Sequence, residues 1–145
     1  MIAIGSDHGG FALKQEIMEY LTQTGVEFTD VGCYEPVSVD YPDIAKKVCA
    51  LVTGKQAELG ILVCGTGIGM SICANKIKGI RAAQCADTFS ARMTRCHNNS
   101  NVLTLGGRTV GPELAKDIVK EFLTAEFEGG RHQTRIDKIM EIENF

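Results

Sequence analysis

Short apolar runs of strand length alternate along this chain with longer segments whose apolar residues recur at helical spacing. The short runs predict strands near 2–5 (IAIG), 26–31 (VEFTDV), 59–64 (LGILVC), 81–85 (RAAQC) and 101–105 (NVLTL). Between the first two, Phe11 to Thr24 carries apolar residues at 13, 17, 18 and 21 and stops at Gly25, a residue that tolerates a left-handed cap. Pro42 to Thr53 opens on a proline suited to a first turn and ends before Gly54. Further helices are predicted from within a glycine loop to about Lys76, over Asp87 to His97, over Pro112 to Thr124, and from about Arg131 to Ile142. This alternation predicts an α/β fold: a three-layer α/β/α, Rossmann-like arrangement with a five-stranded parallel sheet and a C-terminal helical extension. In that extension Ile136, Ile139, Met140 and Ile142 form an apolar stripe, which docks either on a neighbouring subunit or back on its own sheet.

At 145 residues and 44% hydrophobic content the chain is long enough for a well-buried core and too short for two ordinary domains, so residues 1–145 are read as one domain. A net charge of −3 gives no overall attraction for nucleic acid or an anionic membrane, which points to a small partner held by local basic residues. No apolar run reaches the ~18 residues of a membrane span. The start, MIAIGSDHGG, lacks the basic region and long apolar core of a signal peptide, and a cytoplasmic location is expected. Six cysteines (33, 49, 64, 73, 85, 96) show no CxxC spacing, so neither a zinc knuckle nor a disulfide frame is indicated. No metal or organic cofactor is expected.

Ligands of open parallel sheets collect at the carboxyl ends of strands, where loops meet helix starts. Three groups fall there and should converge: Asp7-His8-Gly9-Gly10, Cys64 with the Gly65 to Gly69 loop, and Gly106-Gly107-Arg108. The glycine loop reads either as an anion cradle of backbone amides or as a tight strand-to-helix turn. It is not a Walker loop, since no lysine follows the glycines, and its GxGxG spacing departs from GxGxxG. Cys64 is either a core residue or a thiol delivered to the rim of that cradle. Asp87 could imitate the ribose-binding acid of a dinucleotide fold, but no residues remain for a substrate domain. Arg131 and Arg135, four apart, could grip one phosphate or simply form a solvated face. His97 could work as an acid or base or cap its helix, and Asp7 could cap the first helix. Taken together these residues offer a base, an oxyanion cradle, an acid-base histidine and a basic clamp. That inventory suits moving a proton beside the carbonyl of a phosphorylated sugar.

The segments SDHGGFALK (6–14), DYP (40–42), ILVCGTGIGMSICANK (61–76), GIRAA (79–83), HNNSNVLTLGGR (97–108) and EGGRHQTR (128–135) resemble the type B ribose-5-phosphate isomerases, in order and at the family's spacing. The resemblance implies that Cys64 moves a proton between C2 and C1 of the open-chain sugar through a cis-enediolate, a reaction of the pentose phosphate pathway. It implies that amides of Gly65, Thr66, Gly67, Ile68 and Gly69 hold the intermediate's oxyanion, with Thr66 helping to orient thiol or substrate. His97 would open the furanose ring, Asp7 and Asn98 would contact hydroxyls, and His8, Arg108, Arg131 and Arg135 would surround the phosphate. Tyr41 matches a family tyrosine near the site. Met70 stands where one branch of the family carries a glutamate base, which places this chain in the cysteine branch. Family members also include allose-6-phosphate and galactose-6-phosphate isomerases, so a 6-phosphohexose is an alternative substrate and a noncatalytic sugar-phosphate sensor an alternative role. A flavodoxin-like carrier fits poorly, because DHGG is not a hydroxyl-rich phosphate loop. The family's members are dimers or dimers of dimers with shared sites. By resemblance, His97, Asn98 and Arg108, or the Arg131 and Arg135 segment, would reach the partner subunit's Cys64.

Overall fold

Five strands, β1 (Ile2–Ser6), β2 (Phe28–Asp30), β3 (Leu59–Cys64), β4 (Ala82–Gln84) and β5 (Val102–Gly106), pair in parallel in the computed structural model, which describes residues 1–145. Their order across the sheet is β2-β1-β3-β5-β4. Six helices connect or follow them: α1 (Phe11–Gln23), α2 (Tyr41–Thr53), α3 (Ile68–Asn75), α4 (Thr88–Asn98), α5 (Pro112–Thr124) and α6 (Arg131–Ile142). Side chains alternate across each strand. Ile61, Val63, Leu103 and Leu105 therefore face one core with Leu13, Ile17 and Leu21 of α1, Ala91 of α4 and Ile118 and Phe122 of α5. Leu62, Cys64 and Val102 face the other with Val48 of α2 and Met70 of α3. These two cores give the three layers expected from the alternation of elements.

Two strands are shorter than their apolar runs. Val26 N–H donates to the Leu21 carbonyl and finishes α1, and Gly32 at φ 114° turns the chain after β2, which leaves three residues of ladder. At the other edge Arg81 N–H donates to the Asn101 side-chain oxygen at 2.8 Å before β4 begins. The helix limits follow the expected signals more closely: α1 is followed by Gly25 at φ 75°, and Gly67 at φ 80° precedes α3.

The stripe of α6 is only partly used within the chain. Ile136 is buried against the chain itself, and Glu143 beyond the helix accepts from Gly79 N–H at 2.8 Å. Ile139 and Ile142 remain exposed.

Candidate active site

The loops after β1, β3 and β5 meet at the carboxyl edge of the sheet. Gly107 N–H donates to the Cys64 carbonyl at 2.7 Å and Arg108 N–H to the Gly65 carbonyl at 3.0 Å. A methyl group on Gly107 would stand 2.6 Å from the Gly9 carbonyl oxygen, and one on Gly9 would stand 3.2 Å from the Gly65 nitrogen. Backbones approach that closely only without side chains, which explains the paired glycines of both outer loops.

Cys64 ends β3 with its side chain on the α2–α3 face, and Gly67 N–H donates to its Sγ at 3.1 Å. The sulfur is thus held by a main-chain donor at the start of a helix. Thr66 is exposed, its Oγ1 accepts from Ile68 N–H at 3.2 Å, and its carbonyl accepts from Gln84 Nε2 at the end of β4. Ile68 N–H is thus paired, while Gly69 and Met70 in the first turn of α3 have no helical carbonyl ahead of them. Asp7 is buried and accepts from Gly10 N–H at 3.1 Å, capping a short 3-10 turn over His8–Gly10 that leads into α1. His8 is exposed beside it. Arg108 is also exposed, and a methyl group on Gly65 would lie 3.4 Å from its Nη1. Tyr41 covers the loop from the α2 side, with its ring 2.8 Å from where a Gly69 Cβ would sit.

Two other thiols are unsuited to act as bases. Burial pushes the Cys49 thiol up to about 12 and the Cys85 thiol to about 11, so both stay protonated near neutral pH. Asp87 is a helix cap and not a ligand for ribose: it accepts from Ser90 N–H at 2.7 Å and from the Ser90 hydroxyl at 2.8 Å. Those bonds hold its carboxyl below the usual carboxylate range.

His97, Asn98, Arg131 and Arg135 lie elsewhere. Helix α4 starts beside the end of β4 and runs back along the sheet, so its last turn falls at the amino edge of the strands. The Arg81 guanidinium just before β4 donates to the Asn98 and Asn99 carbonyls, whereas Gln84 at the far end of β4 reaches Thr66. Eleven helical residues separate the two edges by roughly 16 Å. Within one chain, therefore, the Cys64 group and the His97 group cannot share a ligand as small as a pentose phosphate.

The His97 group carries more than the sequence revealed. His97 and His132 stack with ring centroids 4.2 Å apart, and both approach the carboxylate of Glu128. His97, Glu128 and His132 place three donor atoms within 4.8 Å of one another. The spacing of Glu128 and His132, four apart, was the one available signal, and it gave no hint of His97.

The model of the ribose/galactose isomerase family matches residues 2–139. The chain belongs to that family. It is 51% identical to ribose-5-phosphate isomerase B of Escherichia coli over 142 residues, covering 98% of this chain and 95% of that protein. It is 49% identical to a D-erythrulose-4-phosphate isomerase of Pectobacterium atrosepticum over 140 residues, covering 95% and 91%. The structure of ribose-5-phosphate isomerase B of Clostridium thermocellum superposes with a TM-score of 0.97 at 54% identity, covering 99% of this chain and 97% of that one. For an isomerase of this family, the two edges described above are the two concentrations of polar chemistry: a thiol in a glycine loop at one, and imidazoles with α6 arginines at the other.

Proposed function

We propose that this isomerase interconverts ribose 5-phosphate and ribulose 5-phosphate, with Cys64 as the base. The observation that carries the reading is the Cys64 Sγ held by the Gly67 amide, directly at the start of α3. A proton on the carbon beside an aldehyde is only weakly acidic, and the enediolate left by its removal needs preorganised donors. Removing one such donor typically costs about 3 kcal/mol in the barrier. Main-chain amides of Gly65 to Gly69 supply them without reorganising during the reaction.

In the forward direction His97 gives a proton to the furanose ring oxygen as the C1–O4 bond breaks, and the anomeric hydroxyl gives up its own proton, leaving the open-chain aldehyde. The Cys64 thiolate takes the C2 proton, the C1–C2 enediolate forms, and the thiol returns the proton to C1 while the hydroxyl proton moves from O2 to O1. No hydrogen is gained or lost overall. Thr66 orients thiol or substrate, and Asp7 and Asn98 contact sugar hydroxyls. His8, Arg108, Arg131 and Arg135 hold the phosphate, whose binding energy keeps the reactive carbon against the sulfur. Because the two groups of residues lie at opposite edges of one chain, the working site is assembled from two subunits of a homodimer or a dimer of dimers.

Ribose 5-phosphate is favoured over a four-carbon phosphosugar or a 6-phosphohexose, since the relatives at 51% and 54% identity carry that specificity in their names. The test is incubation of ribose 5-phosphate in deuterated water with wild type and Cys64→Ala. Wild type forms ribulose 5-phosphate and exchanges the migrating hydrogen, and the variant loses both by about a thousandfold or more. Turnover that survives the substitution assigns the base to another residue.

A further inference from the structure

The amide that meets Cys64 Sγ is one end of a peptide unit whose other end is also held. In a trans peptide the N–H and the carbonyl before it lie in one plane and point opposite ways. The unit joining Thr66 to Gly67 is trans. Its N–H meets the sulfur at 3.1 Å, and its carbonyl accepts from Gln84 Nε2 at 3.2 Å. In the next unit the Gly67 carbonyl accepts from Thr104 Oγ1 at 2.8 Å, and from Ser71 N–H at 3.1 Å.

The sheet brings these two side chains together. Gln84 and Thr104 are partners in the β4–β5 ladder, and Thr104 is the partner of Leu62 in the β3–β5 ladder. Paired residues share a face of the sheet, so both side chains stand on the α2–α3 side, with Leu62 and Cys64. Thr104 is fully buried in the apolar run VLTL, where a hydroxyl is costly unless it is paired. Its pairing is spent on the loop and not on the strands.

The loop needs such restraints. Glycines at 65, 67 and 69 give it little conformational preference of its own, so the direction of its amides is set from outside. A bond to the Thr66 carbonyl fixes the plane of the peptide and strengthens the N–H at its far end, because linked hydrogen bonds polarise one another. A bond to the Gly67 carbonyl fixes the following plane. Between the two, the Gly67 N–H is left one direction, toward the sulfur.

We propose that Gln84 and Thr104 are positioning residues of this isomerase, clamping the carbonyls on either side of the Gly67 N–H so that it stays aimed at Cys64 Sγ. The proposal rests on the reading of Cys64 as the base.

Three variants test it. Gln84→Met keeps the length of the side chain without its donor, Thr104→Val keeps the shape without the hydroxyl, and Thr104→Ser keeps the hydroxyl. Ribose 5-phosphate turnover should lose about tenfold or more in kcat in the first two, with KM within about twofold of wild type, and Thr104→Ser should recover most of the loss. Gln84 is exposed, so its variant folds even if Thr104→Val does not. The rate at which iodoacetamide alkylates Cys64, followed by peptide mass spectrometry, should fall in the same two variants, since it reads the sulfur without turnover. Wild-type kcat in Gln84→Met, equal losses in Thr104→Ser and Thr104→Val, or unchanged alkylation while kcat falls overturns the proposal. If Cys64→Ala keeps turning over, the base reading falls, and the alkylation rates alone then decide whether the clamp acts on the sulfur.

Discussion

Gly67 answers three demands at once. Its φ of 80° suits only glycine, a Cβ there would lie 2.9 Å from the Leu105 carbonyl carbon, and its N–H is the donor to Cys64 Sγ. Gly67→Ala should cost about 1–3 kcal/mol of stability through backbone strain. It should also displace the amide and lower kcat by about a hundredfold, as misplacement near the chemistry does. Gly111→Ala is the control, because φ there is −70° and no atom lies within 4 Å of the added carbon. Equal kcat in the two variants, with both folded, would show that the Gly67 amide does not serve the reaction. At this scale the sequence was legible wherever a backbone demand leaves its mark in glycine: the loops at 9–10, 65–69 and 106–107 announce close approach. It was opaque for His132 and Glu128, whose partnership with His97 exists only because α6 folds back on α4.

Lys14 shows how one residue fixes the position of an element. Its side chain is fully buried, and its Nζ donates to Asp30 Oδ1 at 2.7 Å and to the Cys33 carbonyl. These bonds fasten the chain leaving β2 to α1, ahead of the segment that delivers Tyr41 to the glycine loop. Asp30 also accepts from Gly32 N–H and is partly exposed, so it would not be wholly stranded by loss of the lysine. Lys14→Met should therefore destabilise the protein by about 3 kcal/mol, the low end for a broken buried pair. Adding Asp30→Asn should recover part of that loss, measured by denaturant unfolding of both single variants and the double. Strictly additive costs would mean that the pair is not coupled. Element identities were readable from periodicity, because both cores impose a period of two on the strands and of about 3.6 on the helices. Strand ends were not, because Val26 and Arg81 spend their amides on a helix end and on a side chain.

The two polar groups at opposite edges make a prediction for the whole molecule. If each working site takes Cys64 from one subunit and His97 from the other, Cys64→Ala and His97→Asn chains are each inactive but complementary. Mixing them at equal ratio and allowing exchange should restore about one quarter of wild-type activity, since half the dimers are mixed and one of their two sites is intact. No recovery after verified exchange would mean that one subunit supplies both residues. Strand alternation announced a parallel sheet but not its order: nothing local to RAAQC says that β4 sits outside β5 and not between β3 and β5. That order matters before the molecule is finished. The sole ladder neighbour of Ala82–Gln84 is a strand that comes later in the chain. During vectorial synthesis this segment must therefore wait, unpaired, until Val102–Gly106 has left the ribosome. A nascent chain stalled between the two would expose an open strand edge beside Cys64, the place where mispairing between neighbouring copies would begin.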